Sequence, residues 1–311
     1  MKTVTARAAD RTLHAGESAK AGLCRVADCL IQEALERIRQ PGRDPAEDVH
    51  FIRTTTKRLR AFLRLFRPVI SPRLFERENA RLKGIARRLA PARESSVVRQ
   101  TLDELSQGAA KPQRKALARV SKHLEQLVAT PNKTTRDNAM RGAARDLERA
   151  RRSFRRLGIT SDDWHTLGPG LHRIYQQARR RMKAAFADES DTAFHRWRTR
   201  VKALYYQLQT LESVWPKRLG KTVTSLRKLA HKLGTDHDLS VLKSVLENAS
   251  GKLGDAHVRE RVNACAHKAS RRLRRVSRSM GEAIFAENPR RFLGKLRKRW
   301  NARQNGFSDE R

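Results

Sequence analysis

Apolar side chains recur along this chain at spacings of three and four residues, and alternating segments of strand length are absent. The pattern predicts an all-α fold. Helices are expected near 16–39, 46–67, 72–89, 94–107, 112–129 and 134–157, then near 169–187, 190–214, 219–233, 237–249, 254–287 and 290–303. Turn residues mark the gaps. Pro41-Gly42 with Asp44-Pro45, Pro68 to Pro72, and Pro131-Asn132 read as turns, and Asn288-Pro289 interrupts the last long helical stretch. The stretch Gly158 to Gly170 reads as the connection between two halves, and the ends, 1–12 and 304–311, are expected to fray.

The two halves match each other. Aligning His50 with His195, an offset of 145, brings together Arg53 with Arg198, Thr54 with Thr199, Lys57 with Lys202, Leu59 with Leu204 and Leu63 with Leu208. Further on, at an offset of 144, Leu89-Ala90-Pro91-Ala92-Arg93-Glu94 pairs with Leu233-Gly234-Thr235-Asp236-His237-Asp238, followed by Val97 and Val241. Two ordered matches at nearly one offset read as a tandem duplication of a helical unit. The expected organisation is a first repeat over 13–157, a connector over 158–168 and a second repeat over 169–303, flanked by tails at 1–12 and 304–311.

Wound as a helix, the segment Val49 to Phe66 separates two faces. His50, Arg53, Lys57, Arg60 and Arg64 fall on one narrow stripe, while Ile52, Leu59, Leu63 and Phe66 fall on another. At 1.5 Å per residue the stripe runs about 21 Å, enough for a linear polyanion to touch several cations at once. The second helix repeats the design with fewer cations. Phe194, Trp197, Val201, Leu204, Leu208 and Leu211 are expected in the core, and the stripe reads His195, Arg198, Lys202, Tyr205 and Gln209. Further cations flank apolar ladders elsewhere. Arg81, Lys83, Arg87, Arg88 and Arg93 do so in the first half; Arg227, Lys228, His231 and Lys232 do so in the second, together with Arg173, Arg179, Arg180, Arg181 and Lys183 on its first helix.

Charge turns these faces into a functional signal. Lys and Arg number 69 against 32 Asp and Glu in 311 residues, a formal net charge of +37. Such an excess selects partners rather than folds: nucleic acid, an anionic membrane surface or a condensed phosphate polymer. Like charges at i,i+3 and i,i+4 cost a helix about 0.2–0.5 kcal/mol per pair, so a merely solvated face interleaves acids. None stands between Asp48 and Glu76. Arg offers planar forks for phosphate oxygens and Lys a mobile point charge. The three cysteines, Cys24, Cys29 and Cys265, form no CxxC and are expected as reduced thiols of a cytoplasmic protein. No apolar run approaches the ~18 residues of a membrane span, and the first ten residues lack a secretory apolar stretch.

The duplicated H-x-x-R-x-x-x-K/R-x-x-R helix and the L-G-x-x-R/N-D turn resemble the CHAD family, the conserved histidine α-helical domain. The resemblance runs from about Gly16 to about Arg303. It implies two similar helical bundles related by pseudo-twofold symmetry, with a basic central groove that binds inorganic polyphosphate, and association with polyphosphate granules. By motif, His50, Arg53, Lys57, Arg60 and Arg64 carry over in the first half, His195, Arg198 and Lys202 in the second, and Arg93 at the first turn. With the flanking cations, the expected polyphosphate-binding set adds Arg87, Arg88, Arg173, Arg179, Arg180, Lys228 and Lys232. The chain departs from the family pattern at Tyr205, where the family often has Arg, at Ala90 for Gly and at Glu94 for Asp. An ExExK strand signature, the mark of the triphosphatase domain that often accompanies the family, is absent from the chain.

Other chemistries find little support. There is no HExxH, no Cys/His cluster with zinc spacing, no glycine-rich phosphate loop and no nucleophile–base arrangement, so neither a metal, a cofactor nor catalysis is expected. His231 and His237 beside Asp236 and Asp238 come closest to a metal set; the aspartates are expected instead to cap a helix and pair with arginines. For His50 and His195 two readings stay open, a contact to phosphate or a hydrogen bond that orients a neighbour. Nonspecific binding to nucleic-acid backbones at low salt is the main alternative. Aromatics make up 5% of the chain and do not interleave with the stripe, which argues against stacking platforms for single strands. The basic segment 290–303 could meet an anionic surface, but Phe292, Leu293, Leu296 and Trp300 favour a packed terminal helix.

Overall fold

The structure, a computed structural model, describes residues 11–14, 16–42, 44–127, 132–159, 164–248 and 256–305, with the side chains of 92–95, 124–127 and 303–305 left aside. Among these the fold is all helical, with no strand. In chain order the helices are α1 (Ala19–Arg39), α2 (Pro45–Phe66), α3 (Pro72–Arg88), α4 (Pro91–Gln107), α5 (Lys111–Leu127), α6 (Lys133–Arg155), α7 (Trp164–Asp188), α8 (Asp191–Thr210), α9 (Pro216–Asn248), α10 (Ala256–Ile284) and α11 (Pro289–Asn305). A single 3₁₀ turn, Glu212–Val214, joins α8 to α9.

Local chemistry sets most of the starts. Asp44, Ser71, Asn132 and Ser190 each accept a backbone N–H of the first turn, and Pro45 and Pro72 stand where a helix needs no donor. Asn288 likewise accepts from the Arg290 N–H at the head of α11, so the Asn288-Pro289 break is real.

Three expectations change. Helices expected at 219–233 and 237–249 are one helix, α9, and Gly234 lies inside it. The matching position in the first half does break, between α3 and α4, because Pro91 lacks the N–H that a continuing helix would use and crowds the turn before it. Its counterpart Thr235 has no such defect. The connector is also shorter than 158–168: α7 begins at Trp164 and takes Pro169 within its first turns, while 160–163 lie outside the described residues. Finally, the chain is anchored upstream of α1. The Leu13 N–H donates to Thr210 O, Ser213 donates to Leu13 O, and Arg11 pairs with Glu33, so Arg11 and Thr12 belong to the body rather than to a tail; residues 1–10 and 306–311 lie outside the described set.

Packing draws on both halves. α2 packs on α1, α3, α7 and α8; α8 packs on α7 and α9; and α6 closes over α1 and α3. One principal core runs through these helices and includes Leu59, Phe62, Leu63 and Phe66 of α2 and Phe194, Trp197, Val201, Leu204 and Leu208 of α8, as their spacing predicted. α11 packs on α7, burying Phe292, Leu293, Leu296 and Trp300; Phe292 stacks on Tyr175 with centroids 4.9 Å apart. A second, smaller core joins Val98 and Leu102 of α4 and Leu117 and Val120 of α5 to Leu242 and Leu246 of α9 and Val262 of α10. The cores therefore do not divide at the connector: first-half and second-half helices share both. Gly170 permits the close α2–α7 approach, since a Cβ there would sit 2.0 Å from Leu65 O. None of the three cysteines forms a disulfide, and no helix of the described residues is long and apolar enough to cross a membrane.

Candidate polyanion-binding groove

The two stripes face a common space. α2 and α8 cross in contact, pinned at the crossing by the buried Gln207, whose Nε2 donates to Ala61 O over 2.7 Å. Toward the N-terminal end of α2 the helices form two walls of a groove of about 620 Å³, and α4 and α9 supply the others. His50, Arg53 and Lys57 come from α2, and His195, Arg198 and Lys202 from α8. α9 adds Arg227, His231, His237 and Asp238, and α4 adds Gln100, Thr101 and Glu104. Three arginines, two lysines and four histidines thus meet two acids. His50, His195, Arg227 and His231 are exposed near the mouth, whereas Arg198, Lys202 and His237 lie deeper and Tyr206 is buried in the wall.

The deep groups feel this surplus. Burial, then Arg198 and Lys57, pushes the Lys202 ammonium down to about 7, with Asp238 opposing. His237 falls to about 3, through burial first and then Arg198, His195, Lys57 and Lys202. His195, nearer the mouth, is lowered too, by the partial burial of its ring and then by Arg198 and Lys57. The His195 and His237 Nδ1 atoms are 3.2 Å apart, so one ring donates and the other accepts. Arg198 Nε is buried without a hydrogen-bond partner. A multiply charged anion would offset the like-charge share of these shifts and bring acceptors to the groove's donors.

The other expected site residues are distributed. Arg53 has a structural share, since Nη1 donates to Ala86 O at the end of α3. The far end of the α2 stripe serves a different cavity: Arg64 lines it with Arg67, Arg173 and Arg200, and Arg60 donates from Nε to Asn79 Oδ1 in its wall over 3.0 Å. Arg179 and Arg180 line a third cavity, with His172, Lys183 and Arg290. Arg87, Arg88, Lys228 and Lys232 are not among the groove-lining residues, and Arg88 pairs with Asp146 of α6. The Arg93 side chain lies outside the described ones. Asp236 caps no helix; it is buried in mid-α9, where it accepts from Ser270 and Arg274, the latter at 3.2 Å. No group of three or more metal-ligating side chains is found among the described residues.

The CHAD domain family model matches residues 29–247, a span that holds both stripes and every wall of the groove. The chain belongs to the CHAD family. The crystal structure of the CHAD domain from the plant Ricinus communis superimposes with a TM-score of 0.62 at 17% identity, over 89% of this chain and 94% of that one, and so shares the fold. No curated protein matches the chain significantly. Within the CHAD fold, the sequence offers Arg227, Lys228, His231 and Lys232 together, and the expected site kept Lys228 and Lys232, whereas it is Arg227 and His231 that line the groove. With Gly234, Asp238 and Val241 they form a stripe at helical spacing along α9, legible only when 216–248 is read as one helix.

Proposed function

We propose that this CHAD protein is a non-catalytic binder of inorganic polyphosphate, gripped in the groove between α2, α8, α9 and α4. The observation that carries the reading is the convergence of Arg53, Lys57, Arg198, Lys202 and Arg227 with four histidines on one open groove, Arg198 Nε being buried and unpartnered. Charge-assisted hydrogen bonds to successive phosphates satisfy these donors without a base-reading surface. The same reading takes the halves as products of a duplication related by a pseudo-twofold axis, with α2 and α8 as equivalent helices whose contributions have diverged. In the cell it places the protein in the cytoplasm on polyphosphate granules, as an anchor or organiser.

Binding to nucleic acid is the second reading, and the half-buried Tyr205 on the groove wall is what favours it, because an accessible aromatic face can stack on a base. A competition titration separates the two. At ~0.15 M salt, long-chain polyphosphate is expected to bind more tightly than duplex DNA or RNA. Tighter nucleic-acid binding would transfer the groove to the second reading. Release of phosphate from polyphosphate or a triphosphate would contradict the non-catalytic assignment.

A further inference from the structure

The second cavity differs from the groove in size and in charge. Its volume is about 260 Å³, and Arg64 of α2, Arg67 just beyond it, Arg173 of α7 and Arg200 of α8 converge on it, with Asn79 and Gln177. No acid lines it, and among the described residues none of the four guanidiniums makes an ion pair. Arg64 and Arg200 are half-buried, and Arg67 and Arg173 are exposed at the rim. The crowding is felt: burial and then Arg60, Arg200 and Arg67 push the Arg64 guanidinium down to about 10. Burial followed by Arg181, Arg173, Arg60 and Arg67 lowers Arg200. The arrangement is held by the backbone, because Gly170 lets α7 sit against Leu65 and so brings Arg173 toward Arg64.

We propose that this cavity is a second anion site, specific for a terminal phosphate, either the end of a condensed phosphate chain or a free short phosphate. An interior phosphate of such a chain carries one charge, whereas an end group takes a second and has three outward oxygens. Four planar forks around a compact space suit the denser charge and the greater number of acceptors. The groove, larger and including two acids, suits the interior of a chain. The inference rests on reading the protein as a binder of condensed phosphate, but not on the groove being the place where the chain lies.

The test compares linear tripolyphosphate with cyclic trimetaphosphate, which has the same number of phosphorus atoms and no end group. Calorimetric titration of the full chain should show the linear form binding about tenfold more tightly or better. In Arg67→Gln/Arg173→Gln, both rim positions being exposed, that preference should collapse toward unity with helicity unchanged. In Lys57→Gln/Arg227→Gln it should persist. Should the double rim variant lose helicity, Arg173→Gln alone is expected to reduce the preference several-fold. A wild type without preference, a preference that survives in the rim variants, or one lost only in the groove variant would overturn the terminal-phosphate site. Long-chain polyphosphate binding that ignores Lys57→Gln/Arg227→Gln would instead overturn the groove, whatever the short phosphates do. Long-chain polyphosphate competing with tripolyphosphate at equal concentration of end groups would show the chain end as the occupant. Failure to compete would leave the free short phosphate.

Discussion

Lys202 holds the groove's conflict in one side chain. Its ammonium is pushed down to about 7, so between there and the ordinary lysine value of 10.5 the unfolded chain binds the proton that the free fold gives up. Its contribution to stability therefore rises with pH across that window and is lost as pH falls toward 7. An anion in the groove reverses the balance by favouring the charged form. Polyphosphate binding at pH 7.5 should thus take up protons, seen as a binding enthalpy that differs between buffers of unequal ionisation enthalpy; identical enthalpies would mean that Lys202 stays clear of the ligand. Lys202→Met should raise stability in thermal melts by about 1–2 kcal/mol while weakening polyphosphate binding. The cations of α2 and α8 were legible in the sequence because they are one-signed and repeated. Their unequal duties were not. That Arg53 spends a donor on Ala86 O, and that Arg64 serves another cavity, depends on where α3 and α7 pack.

Helices were legible as elements, and their breaks were less so. Glycine at 234 beside Thr235 and Asp236 carries the residue types of a turn, yet it lies in a continuous helix, whereas Ala90-Pro91 ends one. The difference is chemical: Pro91 cannot donate to the preceding turn, while Gly234 has lost only conformational restraint. Continuity of α9 matters because it keeps Arg227 and His231 in register with His237 and Asp238 on one wall. Thr235→Pro should therefore destabilise the protein by about 3 kcal/mol or more and weaken polyphosphate binding; melting followed by circular dichroism, with a binding titration, measures both. Gly170→Ala tests the α2–α7 approach. The added Cβ would meet Leu65 O, and a loss of about 1–3 kcal/mol is expected. An unchanged melt would show that the helices can part without cost.

Across the whole molecule, the few acids are spent on holding helices together. Asp28 on α1 takes Arg151 and Arg155 of α6, Asp146 takes Arg88, and Asp191 takes Lys243 and Arg274. Hydrogen bonding from Arg151 helps hold the Asp28 carboxyl down to about 2, so its stabilising share is full above 3.8 and disappears as pH falls toward 2. The cations left over account for the charged cavities and for a net charge of +37. Such a molecule repels itself when free, so polyphosphate should raise its melting temperature, and the rise should continue with the logarithm of its concentration above the Kd. Affinity should fall about a hundredfold or more between ~50 and ~200 mM salt. The sequence carried this scale well, since charge and periodicity do not depend on packing; it could not carry the sharing of both cores between first-half and second-half helices, which leaves no local mark. The most direct test of the account is the affinity for long-chain polyphosphate at ~0.15 M salt of Lys57→Glu/Arg227→Glu, on opposite walls of the groove, against Arg179→Glu/Arg180→Glu on the outer cavity. The first pair should lose about a hundredfold or more with helicity intact and the second far less; the reverse order would contradict the groove as the binding site.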